Sequence, residues 1–120
     1  MYPAPHLIDF PRIGQSDIGY ISVLEITKEP IPFEVKRIFW TYHTPDSIVR
    51  GRHAHYHTEE VLVAVSGRII VTTETGDGQV DTFVVEAPHQ GVYIPPNVWK
   101  TFQYTHTAVQ LVFASTFFEE

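Results

Sequence analysis

The sequence predicts an all-β fold, a sandwich or barrel built as one domain over residues 1–120, and three observations carry that prediction. No stretch repeats its apolar side chains at the helical period over enough residues to make an amphipathic helix. Short runs rich in Val, Ile, Thr and aromatic residues recur at about every 8–12 residues, each bounded by Gly, Pro, Asn or Asp. Between two of these runs, Thr75-Gly76-Asp77-Gly78-Gln79 carries the composition of a hairpin turn.

Residues 1–19 hold three prolines and two glycines, which predicts an N-terminal arm with one short strand around Leu7–Phe10. Tyr20 to Ile26 follows as a strand rich in β-branched side chains. Pro30 and Pro32 cannot donate to a ladder and mark a turn or an edge. Val35 to His43 is extended, carries three aromatics and ends at the turn signal Thr44-Pro45-Asp46. A histidine-rich stretch leads into Val61–Val65, an apolar run closed by Ser66-Gly67. Arg68–Glu74 and Val80–Glu86 flank the hairpin turn, and Val92–Ile94 follows the punctuation of Pro88 and Gly91. Pro95-Pro96-Asn97 turns the chain into Val98–Tyr104, and Ala108–Ser115 closes the series.

Composition narrows the function classes. With 43% hydrophobic and 18% charged residues, the chain has the balance of a globular protein. Eight Lys+Arg against 14 Asp+Glu excludes the basic face that nucleic-acid binding needs. A small anionic ligand stays open, because a few local Arg or Lys residues suffice to clamp it. Without Cys there is neither a disulfide nor a thiolate metal site. The longest apolar runs, such as Val61–Val65, fall far short of the roughly 20 residues that span a bilayer. The first residues lack the basic and apolar regions of a signal peptide, so the cytoplasm is the expected location.

The concentrated chemistry lies in Arg50-Gly51-Arg52-His53-Ala54-His55-Tyr56-His57-Thr58-Glu59-Glu60. On an extended strand the spacing of two puts His53, His55 and His57 on one face. Imidazoles titrate near neutral pH and suit proton transfer at a carbon acid. Arg50 and Arg52 flank them with forks of donors that suit a diphosphate or a developing enediolate.

Two segments together resemble the paired motifs of the cupins. The first is His53-x-His55-x4-Glu60-x6-Gly67, and the second is Gly91-Val92-Tyr93-Ile94-Pro95-Pro96-Asn97-Val98-Trp99-Lys100. Within the cupins the chain is similar to the WxcM-like sugar 3,4-ketoisomerases. The likeness rests on Ile31-Pro32-Phe33 with Lys36-Arg37, Arg50-Gly51-x-His53-Ala54-His55, Gly91-x-Tyr93, Val98-Trp99 and Ala114-Ser115. That resemblance implies a cupin-type jelly-roll barrel of two antiparallel sheets and a homodimer whose N-terminal arms cross. It also implies a dTDP-4-keto-6-deoxyglucose-like substrate and a histidine mechanism without metal or other cofactor. The chain departs from the family at three positions: Tyr56 replaces a usual basic residue, Glu60 a common Gln, and Lys100 a usual His.

For the isomerisation, the resemblance implies His55 as the base that takes the C3 proton and His53 as its partner. Nothing in the sequence orders the two, and His57 reads equally as a rim histidine. The resemblance favours Arg50 over Arg52 as the clamp on a diphosphate or enediolate, Arg52 reading also as a solvated loop charge. Tyr20 and Arg37 are further candidates for substrate contacts, or an ordinary strand aromatic and an outward-facing charge. Trp99 is a candidate to stack on a base or sugar ring, or to plug the core. Lys100 is placed to pair with Glu60 as a substitute for the family's uncharged partners. A second reading is a metal-dependent cupin oxygenase or epimerase-like enzyme, with His53, His55 and Glu60 (or Glu59) as ligands. Against it, a protonated Lys100 offers no lone pair and repels a cation. A third reading is a non-catalytic cupin that binds nucleotide sugars.

Overall fold

Residues 2–26 and 29–118 are described by a computed structural model. Among these residues there are eleven strands and no helix, hence none that is long and apolar enough to cross a membrane. The strands are β1 (His6–Asp9), β2 (Arg12–Gln15), β3 (Gly19–Ser22), β4 (Arg37–Tyr42), β5 (Val49–His53) and β6 (Glu60–Ser66). They continue with β7 (Ile69–Glu74), β8 (Val80–Val85), β9 (Gln90–Ile94), β10 (Trp99–Tyr104) and β11 (Val109–Ala114). A five-stranded sheet runs β1-β9-β6-β11-β4, a four-stranded sheet runs β5-β10-β7-β8, and β2 and β3 form a separate hairpin.

The two large sheets face each other in an all-β, cupin-like jelly roll. Leu62 and Ala64 of β6, Val92 and Ile94 of β9, and Val112 of β11 meet Ile69, Val71, Val85, Phe102 and Tyr104 across the interior. A second apolar cluster covers the opposite face of the five-stranded sheet, where Ile8, Phe10 and Ile31 pack on Val61, Val63 and Tyr93. Strand β6 is therefore buried on both faces, which explains its unbroken apolar run.

Three expectations change. The sheets do not close into a barrel: β4 and β5 stay as separate edges, and residues of both line the cavity between the sheets. The arm also holds a second strand, β2, whose Arg12–Gln15 pairs with Gly19–Ser22. The two strands carry Gly14 and Gly19 on either side of the turn at φ +137° and +97°, a glycine signal hidden in a polar stretch. Lastly, β5 ends at His53, so His55 and His57 lie on the loop beyond it and share no strand face with it.

Candidate active site

A β-bulge aims the end of β5. Lys100 pairs with His53 and Thr101 with Gly51, which leaves Arg52 as the extra residue. Gly51 (φ +84°) and Arg52 (φ +57°) are both left-handed. A Cβ on Gly51 would sit 2.9 Å from the Lys100 carbonyl oxygen, so close backbone approach as well as φ demands glycine here. The extra residue reverses the strand's alternation. Arg50 and His53 both line the cavity between the sheets, and Arg52 is exposed outside it.

Beyond His53 the chain bends and returns as β6 at Glu60. The bend is clamped at several points. Asn97 N–H donates to the His55 carbonyl at 2.6 Å, Ser115 N–H donates to the Glu59 carbonyl at 3.0 Å, and Glu59 N–H donates to Ser115 Oγ at 2.8 Å. Held this way, the His55 ring stands edge-on to His53, with centroids 4.8 Å apart and planes at 84°. Their Nε2 atoms are 3.2 Å apart. His53 Nδ1 lies 2.8 Å from the Gly51 carbonyl oxygen. That oxygen can only accept, so Nδ1 carries the proton and neutral His53 keeps its lone pair on Nε2. His55 Nε2–H is then the donor between the rings.

Beneath the histidines, Lys100 Nζ donates to Glu60 Oε1, and each residue is 3% exposed. The expected Lys100–Glu60 ion pair thus forms, and it forms in the interior. Glu60 Oε2 is also 3.8 Å from His55 Nε2. Burial holds the His55 pKa below its ordinary value, Lys100, His53 and Arg37 push the same way, and Glu60 opposes them. Burial also lowers the Lys100 pKa, against the pull of Glu60.

The cavity has a volume of about 300 Å³. Its lining carries Arg37, Arg50 and Lys100 against the single carboxylate Glu60, a cation-rich recess in a chain of net charge −6. Such a recess suits a phosphorylated ligand.

Of the residues singled out from sequence, Arg37, Arg50, His53, His55, Glu60 and Lys100 line this cavity. The others lie elsewhere. Tyr20, on the β2–β3 hairpin, stacks beneath the Arg12 guanidinium at 4.3 Å and lines a different hollow on the outer face of the five-stranded sheet. Trp99 is 47% exposed, so it neither plugs the core nor faces the histidines; on β10 it alternates with inward Lys100. His57 is exposed, and Glu59 accepts a hydrogen bond from the Tyr93 hydroxyl at 2.7 Å. Among the described residues no three His, Cys, Asp or Glu side chains gather as a metal-binding group. The alternative set of His53, His55 and Glu60 fits a metal poorly, because Lys100 already occupies the carboxylate.

Sequence reading passed over Phe39, Thr41, Phe102, Tyr104 and Gln110 in the lining. Once Lys100 is placed inward, the period of two carries Phe102 and Tyr104 to the same face. Gln110, a polar residue between Val109 and Leu111, was the other available signal.

The chain matches one family model, described as FdtA: WxcM-like, C-terminal, over residues 4–120. A TDP-4-oxo-6-deoxy-alpha-D-glucose-3,4-oxoisomerase of Aneurinibacillus thermoaerophilus is 30% identical over 115 residues, which cover 95% of this chain and 81% of that protein. Among solved structures, the fold is similar to QdtA, a sugar 3,4-ketoisomerase from Thermoanaerobacterium thermosaccharolyticum in complex with TDP. The TM-score is 0.89 at 29% identity, covering 99% of this chain and 85% of that one. It is also similar to a 3,4-ketoisomerase from Helicobacter canadensis, with TM-score 0.88, 32% identity and coverage of 97% and 86%. On the match over residues 4–120, this chain belongs to the FdtA family of WxcM-like C-terminal domains.

Proposed function

We propose that the protein is an isomerase that interconverts the 4-keto and 3-keto forms of a dTDP-linked 6-deoxyhexose by histidine acid/base transfer. The carrying observation is the His53–His55 pair set against the buried Glu60–Lys100 pair in a cation-rich cavity. The names of the similar proteins point to the same reaction and to TDP-linked substrates.

The hydrogen bonds favour an order of the histidines opposite to the one the resemblance implies. With its Nδ1 proton held by the Gly51 carbonyl, His53 has its lone pair on Nε2, which can take the C3 proton once the sugar oxygen replaces it as acceptor of the His55 Nε2–H. His55, kept neutral by burial, offers Nε2–H to the sugar oxygen that gains charge. C3 gives its proton to His53, and the C4 carbonyl takes up the electron pair and a proton. As the enediol collapses to the C3 ketone, the O3 proton passes to His55, which had given its own to O4, and His53 delivers its proton, exchanged with solvent, to C4. Arg50 is left to receive the diphosphate, while Arg37, level with Glu60 in the ladder, stands at the sugar end.

The test is incubation with TDP-4-keto-6-deoxyglucose in D2O, followed by NMR. The expected product is the 3-keto sugar with deuterium at C4. Tight binding with no deuterium at either carbon would favour a non-catalytic binding protein instead.

The reading includes a homodimer. Ile38, Trp40 and Tyr42 are 48%, 59% and 56% exposed on edge strand β4, a patch of large apolar side chains that a second copy would cover.

A further inference from the structure

The cavity has a second polar end. Lys100, Phe102 and Tyr104 alternate inward along β10, and Gln110 and Val112 do so along β11. Tyr104 and Gln110 are each four strand positions from the level of Lys100 and Glu60, roughly 13 Å at the usual strand rise. Gln110 is 2% exposed. Its Oε1 accepts the Tyr104 hydroxyl at 2.7 Å, while Nε2 has no partner although it is buried. Burial keeps Tyr104 protonated, its pKa raised to about 12, so at neutral pH its hydroxyl locks the amide with the NH2 group unspent. A buried donor without an acceptor is destabilising, and an acceptor arriving with a ligand relieves it.

We propose that Gln110, through this free amide, binds the diphosphate of the nucleotide sugar. The inference rests on the function proposed above. Two arguments select the diphosphate. The reacting carbons must lie at His53 and His55, further from Gln110 than one pyranose ring reaches. The side chains around Gln110 also carry donors: Arg50 in the same lining, and Thr41, opposite Gln110 in the ladder. The single carboxylate of the lining, Glu60, sits at the other end and is held by Lys100. A guanidinium and a free amide with no competing acid beside them fit the charged oxygens of a diphosphate, which only accept.

Titration calorimetry with TDP and with thymidine, on wild type, Gln110→Leu and Gln110→Glu, tests this. Gln110→Glu keeps the shape and the acceptor for Tyr104 but turns a carboxylate on the phosphates. Expected are TDP affinities lower by about tenfold in Gln110→Leu and by more in Gln110→Glu, with thymidine binding within about twofold of wild type in both. Steady-state kinetics on TDP-4-keto-6-deoxyglucose should show the loss in KM, with kcat changed less than about twofold. Unchanged TDP affinity in Gln110→Leu, or equal losses for thymidine and TDP, overturns the inference while the function stands. A wild-type protein that neither isomerises the sugar nor binds TDP overturns both.

Discussion

Lys100 and Glu60 are the two charged residues buried among the described residues. An ammonium and a carboxylate, each 3% exposed, cancel one another where neither could remain charged alone. Lys100→Met should therefore cost about 3–5 kcal/mol in denaturant unfolding, because it strands a buried carboxylate. Lys100→Met with Glu60→Leu should cost clearly less than the two single losses summed, since no charge is left unpaired. The same pair tunes His55. Its ring should titrate below 6.5 by NMR; Lys100→Met should move the midpoint up and Glu60→Gln should move it down. The sign for stability follows from the depressed pKa. Between the native pKa and about 6.5 the unfolded chain holds a proton that native His55 refuses. The contribution of His55 is thus fully present above about 6.5 and lost as the pH falls through the native value. Unfolding midpoints measured across that window, in wild type and in His55→Gln, check it.

At the scale of elements, the bulge in β5 decides what the histidine motif can do. Gly51→Ala adds a Cβ 2.9 Å from the Lys100 carbonyl oxygen at φ +84°, so the strand end must shift and carry His53 with it. A displacement of about 1 Å at a reacting group is enough for a 100-fold loss. The expected result is a fall in kcat of about that size with a far-UV spectrum like that of wild type. Most strands were legible beforehand: Val61–Val65, the hairpin around Gly76–Gly78 and Ala108–Ser115 announce themselves through β-branched runs and turn residues. The histidines were legible as chemistry but not as geometry. Their spacing of two suggests a strand face, yet the rings meet because the chain leaves the strand and is pulled back by Asn97 and Ser115. Those partners are 42 and 60 residues distant from His55, beyond any local pattern.

For the whole molecule, the open side between β4 and β5 is what gives the jelly roll its cavity. A closed barrel would fill that side with ladder hydrogen bonds, whereas here both edges line a cavity. Proton transfer by imidazoles needs no metal, so prolonged treatment with a chelator should leave the isomerisation rate within about twofold of the untreated protein. The apolar patch on β4 gives the remaining expectation. Light scattering should return about twice the 13.7 kDa chain mass, and Trp40→Glu should shift the population towards monomer.

The amino-acid order alone determined the all-β class and the order of most strands, because periodicity and turn chemistry are local properties, and its two motifs carried the resemblance to a cupin site. It also brought Lys100 and Glu60 to notice as a pair, since both depart from the family at positions that converge. Tertiary structure decided which side chains meet. It turned Trp99 and Tyr20 away from the cavity, set His55 against His53, and brought Gln110 into the lining with its amide unspent. Those outcomes depend on ladder register and on one bulge, where a single added residue reverses every side chain that follows.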